Sequence, residues 1–100
     1  MDQIYERPST EVTVDGEVYK IVAYPAMTAL DFHFEMSNGM TPKLIQDMIL
    51  KGVTKNGVAF NKESFDKVFT GRIPHMMKVW EEVVEFNYKD PLEESDSDDL

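Results

Sequence analysis

Between Pro74 and Tyr88 the charged residues fall on one narrow side of a helix, and nearly everything else is apolar. At about 100° per residue, Lys78, Glu81, Glu82, Glu85 and Lys89 just beyond occupy an arc of roughly 100°. Met76, Met77, Val79, Trp80, Val83, Val84, Phe86 and Tyr88 fill an arc near 200°, about twice what a surface helix needs to reach one core. Two arrangements satisfy such a helix. It is central and covered on two sides by its own domain, or one side packs internally and the other meets a partner. Size sharpens the choice. A chain of 100 residues has room for one domain. It buries only about two-thirds of its unfolded surface, so its core is thin.

The elements before this helix read as follows. Residues 1–9 form a loose arm. Residues 10–23 form a β-hairpin, with Val12 and Val14 in one strand and Val18, Ile21 and Ala23 in the next. Asp15-Gly16 joins them, because both residues accept the positive φ that a tight hairpin turn requires. A hairpin is marginal alone and needs helices over its apolar face. Pro25 ends the second strand. Thr28 with Asp31 resembles a capping pair for a helix over 29–37, and Asn38-Gly39 stops it. Thr41-Pro42 is an N-cap followed by proline at the first helical position. That helix runs to Lys51, and Gly52 ends it. Lys55-Asn56-Gly57-Val58 is a turn that suits a small second hairpin. Asn61 caps a helix over 62–70, with Gly71 at its end, before Pro74 opens the last helix. The fold class is therefore α+β: an N-terminal β-hairpin packed on a bundle of about four helices, one domain over residues 10–88. Residues 89–100 read as an acidic disordered tail.

Composition narrows the function. Ten Lys and Arg against nineteen Asp and Glu give a net charge of −9. Residues 1–88 hold thirteen acids and nine bases, and residues 89–100 hold six acids and one base. Phosphate backbones repel such a surface, so nucleic-acid binding by the body is not expected. No apolar run approaches the ~20 residues of a membrane span. The acidic start (Asp2, Gln3, Glu6) is unlike a secretory signal. The chain lacks cysteine, which removes disulfides, thiolate metal sites and a Cys nucleophile.

Signs of chemistry are sparse. His33 and His75 are the only histidines. Asp31 and His33 lie about 200° apart on a helix and cannot chelate together, so no metal is expected. His75, just after Pro74, reads as an exposed helix-start residue rather than a base. Asp31 with Glu35, and Glu81 with Glu85, read as solvated faces and not as acid/base pairs. Lys51-Gly52-Val53-Thr54 lacks the upstream glycine of a phosphate loop. Neither an enzyme nor a cofactor is expected. Seven methionines fit either gap-filling in the core or a surface that adapts to several shapes. Phe32 and Phe34 are two apart and point in different directions, so one of them is expected at the surface.

The order of these features carries a resemblance. The hairpin Val12-Thr13-Val14-Asp15-Gly16-Glu17-Val18-Tyr19 is followed by Tyr24-Pro25-Ala26-Met27-Thr28 and by short helices. Asn61, Phe65-Asp66 and Phe69-Thr70-Gly71 precede a last helix ending in Glu85-Phe86-Asn87. Over residues 10–88 this resembles the small tail assembly chaperones of long-tailed bacteriophages. The resemblance implies a non-enzymatic protein of the host cytoplasm. It would coat the tape measure protein, recruit tail tube subunits and be absent from the mature virion. It also allows a longer frameshifted product in which the acidic tail is a linker. Phe32, Phe34, Met76, Met77, Trp80, Val83 and Val84 are then the expected surface for the client or for self-association. Two other readings stay open: a structural tail or baseplate component of the virion, and an acidic nucleic-acid mimic that inhibits a host protein.

Overall fold

A computed structural model describes residues 7–89. Residues 1–6 and 90–100, most of the expected arm (1–9) and tail (89–100), lie outside the described residues, while Ser9 of that arm already belongs to the first strand. The chain opens with β1 (Ser9–Val14) and β2 (Glu17–Val22), paired antiparallel from Ser9↔Val22 to Val14↔Glu17. Asp15 (φ 51°) and Gly16 (φ 84°) form the turn, both in the left-handed region that Asp-Gly tolerates. Pro8 also joins the sheet edge, accepting from the Ala23 N–H at 2.8 Å. Val14, Tyr19 and Ile21 turn to the core. Val18, expected among the apolar residues of the strand, is instead on the outward face, because strand side chains alternate and Tyr19 takes the inward place.

Two helices follow, α1 (Ala26–Ser37) and α2 (Pro42–Gly52). The expected Thr28 cap does not form. Pro25 is extended and the helix starts straight after it, with no side-chain cap and with the Ala29 N–H donating to the Pro25 carbonyl. Thr28 is thereby drawn into the first turn. The Thr41 cap does form: its hydroxyl accepts from the Leu44 N–H at 3.1 Å, with Pro42 beginning the helix.

Helix α2 passes directly into β3 (Val53–Lys55), which a two-residue turn joins to β4 (Val58–Ala59). That turn repeats the first, with Asn56 at φ 56° and Gly57 at φ 81°. The second hairpin does not stand apart. Ile21 pairs with Val53 and Lys20 with Thr54, so all four strands make one antiparallel sheet in the order β1-β2-β3-β4. Asn61 and Ser64 form a reciprocal capping box, 2.9 Å in both directions, at the start of α3 (Lys62–Phe69).

Helix α4 (Ile73–Tyr88) is the central post of the molecule. It packs against α2, α3, β1 and β2, and Val79 and Val83 are completely buried. Met76, Trp80, Val84, Phe86 and Tyr88 press partly against the same core. Of the two arrangements open to a helix this apolar, the fold adopts chiefly the first. Gly52 shows how tight the packing is. A Cβ there would lie 3.0 Å from the Tyr24 ring, and the Tyr24 hydroxyl donates to the Met48 carbonyl at 2.5 Å. Burial pushes that phenol well above its ordinary pKa.

Candidate partner-binding surface

Of the seven residues expected at a partner surface, Phe32 and Val83 belong to the core. Phe32 meets the Tyr24 ring at 5.0 Å between centroids. Neither can touch a partner without unfolding, because both lie on the sides of α1 and α4 that face the domain interior. Met76, Met77, Trp80 and Val84 are half-buried. The Trp80 indole N–H points inward, 3.4 Å from the Met48 sulfur. Phe34 is 60% exposed, the outward member of the Phe32/Phe34 pair.

Phe34 does not stand alone. Met27 is 67% and Leu30 44% exposed. At about 100° per residue these three side chains share an arc of roughly 60° on α1. The opposite arc carries Ala29, Phe32 and Met36, which pack on the core. Helix α1 is therefore apolar on two sides. Sequence reasoning named Phe34 but missed Met27 and Leu30, although their spacing at i, i+3 and i+7 was readable.

A second apolar feature lies where the start of α2 meets α3 and the start of α4. Met40, Pro42, Ile45, Phe65, Ile73 and Met76 line a groove of about 570 Å³. Met40 and Ile73 stand on its rim, 42% and 56% exposed. Of the expected residues, Met76 is brought here. The others lie elsewhere on α4 and α1.

A polar cluster ties α4 to the first hairpin. His75 is buried, contrary to the exposed position expected from its place after Pro74, because the hairpin turn folds over it. Asp15 can only accept, so the His75 Nδ1–H donates to its carboxylate at 2.9 Å. Nε2 and the Tyr19 hydroxyl are 2.7 Å apart, and that hydroxyl also lies 3.2 Å from the Glu17 carboxylate. Lys78 Nζ donates to the other Asp15 oxygen at 2.9 Å. His75 and Lys78 together hold the Asp15 carboxyl below its ordinary pKa. Glu17 is gripped by Arg72 and, at 2.9 Å, by Lys55, and these hydrogen bonds lower its pKa to about 2. Burial, aided by the Glu17 charge, pushes the Tyr19 phenol up to about 12. Tyr19 is wholly inaccessible, and the ion pairs around it join β2 and the first turn to the start of α4. The cluster is a clamp. Among the described residues no group of His, Asp and Glu is arranged to hold a metal ion, and no helix is long and apolar enough to cross a membrane.

The charge is unevenly placed. Residues 7–89 carry eleven acids and ten bases, so eight of the nine net negative charges belong to residues 1–6 and 90–100. Several acids of the body are already paired: Asp15 with Lys78, Glu17 with Arg72, Asp47 with Lys43, Glu63 with Lys67 and Glu85 with Lys89.

A nearly neutral α+β body with an apolar groove and an apolar outer helix face defines a protein-binding module. Residues 36–98 match the family model described as phage tail assembly chaperone protein, TAC. The chain belongs to this family of tail assembly chaperones. It therefore serves tail assembly by acting on other tail proteins. No curated protein and no solved structure matches it.

Proposed function

We propose that the chain holds an apolar helical segment of the tape measure protein in the groove between α2, α3 and α4. It keeps that client soluble in the host cytoplasm while the tail is built, and leaves before the virion matures. The observation that carries this reading is the groove's origin: all its lining residues fall inside the segment matching the chaperone family. A shared function fits a feature built from the shared part of the chain. The chemistry is suitable as well. Methionines at 40 and 76 adapt to different side chains, and an apolar groove of this kind accepts the apolar face of an amphipathic helix. Met77, Trp80 and Val84 lie farther along α4, half-buried, where a longer client helix would extend the contact. Tail tube subunits are a second client of the same chemistry.

The nucleic-acid mimic is disfavoured by the charge map. Mimicry needs carboxylates fixed on a rigid face, and the body is almost neutral with many of its acids paired.

The test is co-expression with the tape measure protein. Met40→Asp and Ile73→Asp place a charge on the groove rim, where neither side chain supports the core. Each should weaken co-purification roughly hundredfold, the effect of leaving a charge unpaired in an apolar contact, while circular dichroism stays native. Undiminished recovery with the folded variants would remove the groove from the account. Mass spectrometry of purified virions should find no copy of the chain. Its presence at stoichiometric level would make it a structural tail component.

A further inference from the structure

Helix α1 differs from the other three helices in its charge as well as in its double apolar face. Asp31 and Glu35 are its only charged residues, whereas α2 and α3 carry two lysines each and α4 carries one. Both carboxylates are exposed and lie along one flank of the Met27, Leu30 and Phe34 stripe. Among the described residues neither has an ion-pair partner, unlike Asp15, Glu17, Asp47, Glu63 and Glu85; Glu11, Asp66, Glu81 and Glu82 are likewise unpaired, but α1 has no Lys or Arg at all beside its two acids. An open apolar stripe edged by unpaired carboxylates calls for a complement that supplies both missing parts.

We propose that the outward face of α1 docks an amphipathic helix of another protein whose apolar stripe is edged by Lys or Arg. This surface is separate from the groove, which other elements line, so the chain has two docking faces and can hold two partners at once. A second copy of the chain is a poor occupant. In a two-fold antiparallel contact centred on Leu30, Asp31 would lie beside its own counterpart, with no base on either helix to relieve the repulsion. A basic-edged helix meets the same carboxylates as ion pairs while covering Met27, Leu30 and Phe34.

Two synthetic helical peptides of about 18 residues, long enough to be helical when docked, test this against the full chain. They share a leucine stripe and differ only in Lys or Glu along its edges. The Lys peptide should bind and the Glu peptide should not, with binding that weakens as salt is raised. Phe34→Ser should weaken the Lys peptide roughly tenfold or more, as expected for an aromatic anchor. The double variant Asp31→Lys/Glu35→Lys should reverse the preference. All three positions are exposed, and circular dichroism verifies that the variants fold. Met40→Asp in the groove should leave the Lys peptide unaffected, so loss of tape measure binding and loss of peptide binding are read separately. Equal binding of the two peptides, binding of neither, or loss of the Lys peptide in Met40→Asp would overturn the proposal. So would a dimer in light scattering that Phe34→Ser abolishes, since the occupant would then be a second copy.

Discussion

Glu17 sits opposite Val14 at the mouth of the first turn, and from there its carboxylate reaches Arg72 and Lys55, far along the chain. Its pKa in the folded protein, about 2, lies below the ordinary 4.5. Folding therefore favours the deprotonated form. The stabilisation is fully present above the unfolded value and is lost as pH falls from about 4.5 toward about 2. The urea midpoint should drop across this window, and Glu17→Gln should shrink the drop. A residue of acid sensitivity would persist through Asp15, whose pKa is lowered in the same sense. An acid response identical in the two proteins would show that the Arg72 and Lys55 contacts contribute nothing. These residues also mark where reading the chain stops. Asp15-Gly16, Asn56-Gly57, Thr41-Pro42 and Asn61 were legible because their chemistry is satisfied within a few positions. His75 was misread because its partners, Asp15 and Tyr19, are 60 and 56 positions away. Nothing local distinguishes a histidine folded under a distant turn from one left in water.

At the scale of elements, periodicity located the faces of α1 and α4 but not their neighbours. The broad apolar arc of α4 was legible. Which elements of its own domain cover it was not, because those surfaces come from α2, α3 and the sheet. The joining of the two hairpins was equally hidden: β3 has three residues and β4 two, too short for a readable alternation. Gly52, where α2 becomes β3, gives an element-level test. Alanine normally favours a helix over glycine by about 1 kcal/mol. Here the added Cβ would meet the Tyr24 ring at 3.0 Å, and the hydrogen bond to Met48 keeps that ring from swinging away. Gly52→Ala should therefore destabilise the protein by about 1–3 kcal/mol, the range for overpacking a filled site, as read by urea unfolding. A more stable variant would mean that the ring has room to yield.

For the molecule as a whole, fold and charge are separable. The sheet, the four helices and the groove lie within residues 7–89, whereas most of the net charge does not. Removing residues 90–100 takes away six carboxylates. The truncated chain should keep its thermal midpoint and still co-purify with the tape measure protein, but should aggregate at lower concentration near neutral pH, where less repulsion keeps copies apart. Lost client binding would place part of the docking surface in the removed segment. The α+β class was legible from composition and turn chemistry. The partition between a neutral body and acidic ends needed the fold, since only the fold says which residues the body contains. The pairing of Ile21 with Val53 has a last consequence. The excursion through α1 and α2 leaves and re-enters the sheet at adjoining strands, like a handle riveted at both ends. Substitutions on its outer side would then leave the plate that bears it in place, so a new docking preference could come from changing one helix.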